Sequence, residues 1–366
     1  MDSKLDLKYR PDQLEDLIGQ KHIVATLKKA SENNRFASAY LFSGERGCGK
    51  TSMSRIVATL MTCENVKDGK VCGECQACKS IKSGMSMDVK EVNGADKRKI
   101  EDARSLIENA YWSPQELKRK IITIDEAHML TKEANNSLLK ILEEPPSYLT
   151  FILCTTEIKK ILPTIMSRCQ RFNFRKISTD NIIQRLDHIA KKEGINIETE
   201  ALLLIARFAR GSMRDAVNAL EQVGTIGINK RLTRENVRAY FGLVNRQGIM
   251  DIVKAIKSAN IPLVMDQVND LIMASADIKS IMEEISEIFR NIMLLKAYNN
   301  DEKRLINLTD AEIQDIKLLA NVIDMEQLTK LSDVFSNIDK KIEFNINERW
   351  VMEATLINCV AILRNK

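Results

Sequence analysis

Apolar residues in the first half of the chain fall into two kinds of block. Ala39-Tyr40-Leu41-Phe42, Val89 to Val92, Ile121-Ile122-Thr123-Ile124 and Thr150 to Cys154 are brief runs bounded by polar residues. Runs of this length, rich in β-branched and aromatic residues, read as buried strands. Between them, apolar residues recur at helical spacing: Ile56, Val57 and Leu60; Ile100, Ala103, Leu106, Ile107 and Ala110; Leu138, Leu139, Ile141 and Leu142. The last stretch stops before Pro145-Pro146, which cannot continue a helix. Strands alternating with helices predict an α/β fold, a mostly parallel sheet with helices on both faces.

Near residue 177 the rhythm changes. Asn181 to Glu193, Glu198 to Phe208 and Asp215 to Val223 read as short helices punctuated by Gly194, Gly211 and Gly224. From about Leu243 onward only helical periodicity remains, as in Ile278, Ile281, Met282, Ile285, Ile288, Phe289, Ile292 and Met293. The pattern predicts three domains: an α/β domain over residues 1–176, a small helical domain over 177–242 and an all-α domain over 243–366.

Composition agrees. A hydrophobic fraction of 44% supplies sizeable cores and excludes a disordered chain, while 5% aromatics and six prolines lean towards helix. No apolar run approaches the roughly 20 residues that span a bilayer. Met1-Asp2-Ser3-Lys4-Leu5-Asp6 carries no apolar signal segment, so a cytoplasmic protein with no membrane partner is expected. Residues 1–176 hold 30 Lys+Arg against 23 Asp+Glu, and residues 177–366 hold 25 against 27. The basic excess of the first half admits an anionic partner, although most such charge is solvated surface.

Two motifs carry chemistry. Gly44-Glu45-Arg46-Gly47-Cys48-Gly49-Lys50-Thr51 fits G-x-x-x-x-G-K-[ST] between a predicted strand and a predicted helix. Glycines let backbone N–H groups wrap phosphate oxygens, and the helix N-terminus adds partial positive charge. The phosphate-binding residues of a nucleotide are then Gly44, Gly47, Cys48, Gly49, Lys50, Thr51 and the following Ser52, with Lys50 at the β and γ phosphates and Thr51 on Mg²⁺. About 75 residues later the strand Ile121 to Ile124 ends in Asp125-Glu126. Asp125 suits the Mg²⁺ hydration shell and Glu126 the polarising of an attacking water. His128 reads as a supporting or packing residue.

The second motif is Cys63-x8-Cys72-x2-Cys75-x2-Cys78. Four thiolates complete a closed tetrahedral shell, which suits structural Zn²⁺. An iron–sulfur cluster is the chemical competitor. Such a metal folds a small insert with almost no core of its own. Cys154 and Cys359 read as buried small hydrophobes.

Further stretches resemble a known family. Asn136-Ser137-Leu138-Leu139-Lys140-Ile141-Leu142-Glu143-Glu144-Pro145-Pro146 and Ser167-Arg168-Cys169 resemble bacterial clamp-loader subunits of the AAA+ class. The cysteine insert after the phosphate-loop helix narrows the resemblance to the gamma/tau subunits of bacterial DNA polymerase III. It covers residues about 5 to 240 with specific motifs, and a helical C-terminal region beyond. The resemblance implies an AAA+ ATPase domain over 1–176 with its zinc module near 63–78, a lid over 177–242 and an oligomerising collar over 243–366.

It also implies residue roles. Tyr9-Arg10-Pro11 and Ile18-Gly19-Gln20 resemble the segment lining the adenine pocket. Thr156 resembles sensor 1, with Thr155 as the adjacent alternative, and Arg214 resembles sensor 2. Arg168 resembles an arginine finger acting on the ATP of a neighbouring subunit. Lys97, Arg98, Lys99 and Lys140 resemble positions that face duplex DNA. The implied partners are the delta and delta-prime subunits, further copies of this chain, a sliding clamp and primer-template DNA. The implied function is an ATPase motor that opens the clamp and places it on DNA. A delta-prime-like stator with little hydrolysis of its own is the alternative, and the intact Gly49-Lys50-Thr51 and Asp125-Glu126 argue against it.

Overall fold

Among the described residues, five parallel strands form one sheet. They are β1 (Ala39–Ser43), β2 (Val89–Asn93), β3 (Lys120–Asp125), β4 (Leu149–Thr155) and β5 (Gln170–Asn173), in the order β2-β3-β4-β1-β5. The structure is a computed structural model describing residues 4–94, 109–226, 231–242, 246–274, 276–299, 308, 310–336 and 347–364. Its chain divides into two units, residues 1–231 and 232–366.

The first unit holds the sheet and nine helices among its described residues. These are α1 (Leu5–Lys8), α2 (Lys21–Glu32), α3 (Lys50–Thr62), α4 (Gln76–Ser83), α5 (Lys132–Glu143), α6 (Pro163–Met166), α7 (Thr179–Glu193), α8 (Thr199–Phe208) and α9 (Met213–Ile226). Successive strand residues point to opposite faces, so each apolar run is divided between two cores. Tyr40, Phe42, Ile121, Ile152 and Cys154 pack with Met53, Ile56 and Val57 of α3 and with Ile23 and Leu27 of α2. Ala39, Leu41, Ile122, Ile124, Phe151 and Leu153 pack instead with Ala134, Leu138 and Ile141 of α5. The four predicted strands are all present.

β5 has no signature in the apolar pattern. Only its Phe172 is buried, as suits an edge strand paired on one side with β1. Gly224 does not punctuate a helix but lies inside α9, where an added Cβ would approach Ile195 Cδ1 to 3.0 Å. A side chain there would crowd the tip of Ile195, which would have to give by a few tenths of an ångström, so Gly224 marks close packing and not a chain break. Most of the helix expected over 100–111 lies outside the described residues, and Asn109–Tyr111 forms a 3-10 turn.

The second unit is all helical among its described residues: α10 (Arg234–Tyr240), α11 (Arg246–Lys257), α12 (Ile261–Met273), α13 (Ile278–Ala297), α14 (Asp310–Ala320), α15 (Met325–Phe335) and α16 (Glu348–Arg364). Ile281, Met282, Ile285, Ile288, Phe289 and Ile292 of α13 are buried, as their spacing predicts. The helix α10 belongs to this unit rather than to the 177–242 segment. Its Arg234 Nη2 lies 3.3 Å from Glu312 Oε1 on α14. No helix among the described residues is long and apolar enough to cross a membrane.

Candidate functional site

Where the carboxyl ends of β1 and β3 leave the sheet, a cleft of about 430 Å³ opens. Open parallel sheets present their ligand sites at this edge. The loop after β1 starts at Gly44, whose N–H donates to the Thr155 carbonyl at 3.2 Å. Gly47 (φ 73°) and Gly49 (φ 102°) take left-handed backbone that side chains avoid. A Cβ on Gly47 would collide with the Ser212 hydroxyl, and one on Gly49 would lie 2.8 Å from Leu17 Cδ1.

Lys50 opens α3 and is buried, its Nζ donating to the carbonyls of Gly44 (2.7 Å) and Glu45 (2.8 Å). These two bonds engage two of the ammonium's three donors and hold it across the loop. Thr51 Oγ1 donates to Asp125 Oδ2 at 2.9 Å, joining two motifs 74 residues apart. Asp125 Oδ1 in turn accepts the Glu126 N–H at 3.0 Å.

Glu126 has a left-handed backbone (φ 49°) and lines the cleft. Its Oε2 accepts from Thr156 Oγ1 at 2.9 Å. Thr155 has different partners: its hydroxyl accepts the Glu157 N–H and pairs with His128 Nδ1, both at 3.0 Å. Of the two adjacent threonines, Thr156 is therefore the one that reaches Glu126. The His128 ring is buried, with Nδ1 3.4 Å from Glu126 Oε2 and Nε2 3.3 Å from Glu157 Oε1. It supports Glu126 and does not itself line the cleft.

Tyr9, Arg10, Pro11 and Ile18 form a wall of the cleft. The Tyr9 hydroxyl donates to the Glu193 carboxylate, and Arg185 Nη2 donates to the Tyr9 carbonyl at 2.9 Å. The bond to Glu193 raises the Tyr9 phenol, while Lys8 and Tyr9 hold the Glu193 carboxyl low. Burial, followed by the nearby Arg55 charge, lowers Arg10. Arg214 near the start of α9 lines the same cleft, its Nε 3.4 Å from Asp6 Oδ2. The neighbouring Met213 N–H donates to the Gly47 carbonyl at 3.0 Å, so α9 begins on the loop itself. Cys48 and Ser52 also line the cleft. The Cys48 thiol donates to the Glu45 carbonyl at 2.8 Å, and burial pushes its pKa up.

Asp6, Asp16, Arg46, Asn93 and Arg185 line the cleft without having been singled out by sequence. Arg46 occupies a variable position of the motif. Asn93 ends β2 and lies in register with Asp125, which is legible only once the strand order is known. Arg185 is separated from its partner Tyr9 by 176 residues.

The four clustered cysteines converge, their Sγ atoms all within 4.8 Å of one another. Separations are 3.6 Å for Cys63–Cys72 and 3.9 Å for both Cys72–Cys78 and Cys63–Cys75. A tetrahedral shell with metal–sulfur bonds of roughly 2.3 Å has edges of about 3.8 Å, so these thiols fit one tetrahedral ion. Backbone amides of Glu74 and Cys75 lower the Cys72 thiol to about 6, whereas burial raises the Cys63 and Cys78 thiols.

Three family models match the chain. One, described as DNA polymerase III, delta subunit, covers residues 19–178. A clamp-loader ATPase lid domain model of DNA polymerase III covers 181–227, and the model for gamma and tau domain III covers 232–364. The DNA polymerase III subunit gamma of Buchnera aphidicola subsp. Acyrthosiphon pisum is 31% identical over 97% of this chain and 98% of its own length. This chain belongs to the gamma/tau family of DNA polymerase III subunits. The gamma/tau subunit of Mycoplasma genitalium is 36% identical over 87% of this chain and 54% of its own length. For the Bacillus subtilis tau subunit the figures are 34%, 95% and 62%. The chain thus spans between about half and three-fifths of the length of these two relatives. Family membership and the parallel sheet agree with the α/β AAA+ module expected from sequence.

Among the described residues, Arg168 and Lys140 lie away from the cleft. Arg168 sits between α6 and β5, with Nη2 2.8 Å from Glu143 Oε1 and Nη1 donating to the Thr164 carbonyl at 2.9 Å. Lys140 is exposed on α5. Lys97, Arg98 and Lys99 lie outside the described residues.

Proposed function

We propose that this chain is an ATP-hydrolysing motor subunit of a bacterial clamp loader. The observation that carries the proposal is that Thr51, Asp125 and Glu126 line one cleft beside Lys50, with Thr51 bonded to Asp125 at 2.9 Å and Glu126 held at 2.9 Å by Thr156, which does not itself line the cleft. A phosphate loop, two strand-end carboxylates and a hydroxyl on the second carboxylate form a hydrolytic set.

The chain's residues divide the work. Amides of the Gly44 to Thr51 loop cradle the triphosphate, and Lys50 exchanges its carbonyl partners for β and γ oxygens. Thr51 and Asp125 hold Mg²⁺, which when bound neutralises charge on the phosphates. Glu126 orients and polarises water, with Thr156 fixing its carboxylate. Tyr9, Arg10, Pro11 and Ile18 receive the base, and Arg214 couples the start of α9 to the γ phosphate. Arg168, outside its own chain's cleft, serves a neighbouring subunit's ATP, where such a guanidinium is worth about 10³–10⁵ in rate. Cys63, Cys72, Cys75 and Cys78 bind a structural Zn²⁺.

In this reading residues 1–176 are the ATPase domain, 177–231 the lid, and 232–366, with α10 included, the collar that joins it to delta, delta-prime and further copies of itself. ATP favours the assembly state that opens the sliding clamp, and hydrolysis removes that bias. Primer-template DNA triggers the step, its phosphates facing Lys97, Arg98, Lys99 and Lys140. A cytoplasmic location goes with this reading. The test is steady-state ATP hydrolysis by the chain assembled with its partner subunits and clamp, with and without primed DNA. A large rise on adding primed DNA that Arg168→Ala abolishes is expected. A flat rate in a demonstrably assembled complex overturns the motor reading.

A further inference from the structure

The thiol cluster and the cleft share one strip of chain. Residues 12–15 run between the two stretches that line the cleft wall, 9–11 and 16–18. Each polar side chain of the strip reaches the cysteine insert. Gln13 Nε2 donates to the Val71 carbonyl and Gln13 Oε1 accepts the Val71 N–H, both at 3.1 Å. Val71 directly precedes Cys72. Glu15 pairs with Lys70 at 2.8 Å, and Asp12 pairs with Lys82 of α4 at 2.6 Å.

Magnitude separates these contacts. The two ion pairs are largely exposed and contribute little. The Gln13 pair is part-buried and bidentate, so it fixes both distance and orientation. From Gln13 the path continues inward. Its N–H donates to Asp16 Oδ2 at 3.2 Å, and Asp16 lines the cleft. Leu14 and Leu17 share a buried cluster with Cys63, Val71 and Cys78, and Leu17 abuts Gly49 of the phosphate loop.

We infer that the metal-bearing cysteine insert positions the N-terminal wall of the nucleotide cleft through Gln13, so that nucleotide affinity depends on the metal. The inference rests on the reading of the cleft as a nucleotide site. Between residues 64 and 83 the buried apolar side chains are Val71, Ala77, Cys78 and Ile81. So small a core leaves the insert's shape to the thiolate–metal bonds. Without them Val71 is held by its apolar cluster alone, which does not fix the orientation of its backbone, and Gln13 loses the oriented partner that holds residues 9–11 and 16–18 in register. Gln13 is a positioning residue, touching neither metal nor nucleotide.

The test titrates N-methylanthraniloyl-ATP against the full chain, with bound metal quantified in each sample. Wild type and Gln13→Met, which keeps side-chain length but loses both bonds, are compared before and after stripping with a chelator. Gln13→Met is expected to retain its metal and bind about three- to tenfold more weakly, the weight of one or two net hydrogen bonds. Stripping should weaken wild type at least as much, yet add little to Gln13→Met, because both act along one route. Hydrogen exchange over residues 9–18 should quicken when wild type is stripped. Unchanged binding by metal-loaded Gln13→Met overturns the inference, as do losses that simply multiply or protection that survives stripping. A metal-loaded wild-type chain that binds no nucleotide overturns the reading of the cleft instead.

Discussion

Glu126 concentrates the chemistry proposed for this chain. Its carboxylate is held by Thr156, backed by the buried His128 and placed one residue beyond Asp125. Glu126→Gln keeps the shape and the Thr156 contact but loses the base. Turnover is expected to fall about 10²–10⁴-fold with ATP binding intact, measured by single-turnover hydrolysis beside equilibrium binding. Retained turnover would remove the role assigned to it. Cys48 gives a second residue-scale expectation. Burial raises its thiol above the usual range, so the thiolate fraction at neutral pH is small. Iodoacetamide labelling at Cys48 should be slow at pH 7 and accelerate above pH 9, followed by peptide mapping. Fast labelling at neutral pH would contradict the burial.

At the scale of elements, the contact between the phosphate loop and α9 is the one that ties distant sequence together. The Met213 N–H meets the Gly47 carbonyl, and the Ser212 side chain fills the space that a Gly47 side chain would need. Gly47→Ala therefore combines a left-handed backbone with a clash. A cost of about 1–3 kcal/mol is expected from the backbone alone, read as a lower melting temperature together with weaker ATP binding. An unshifted melting curve would mean that the start of α9 yields freely. The motif legible in sequence specified the loop's own glycines. It carried no information about Ser212, because that contact depends on where a helix far along the chain comes to rest.

At the scale of the whole molecule, the position of Arg168 decides what kind of experiment is informative. The guanidinium is engaged by Glu143 and Thr164 outside its own cleft. A chain that uses it on a neighbour's ATP is complemented by mixing. Arg168→Ala alone and Lys50→Ala alone should each lack DNA-stimulated turnover in the assembled loader. A mixture should recover part of it where an intact cleft meets an intact arginine. If no mixing ratio restores activity, action on a neighbour loses its support.

What the sequence determined by itself was whatever depends on local spacing. Four strands follow from short apolar runs, and α13 follows from its helical period. The phosphate loop, the Asp125-Glu126 strand end and the four-cysteine insert each carry their chemistry within a few residues. The edge strand β5 was not legible, because one buried phenylalanine among exposed polar residues has no period. The place of α10 in the second unit was decided by packing, as was the continuation of α9 through Gly224. Asn93, Arg185 and Gln13 owe their positions to strand order and to contacts across 58 residues or more. Side-chain alternation and helical period are written into neighbouring residues. The meeting of remote segments depends on how several buried faces are satisfied at once, and only the folded chain resolves that.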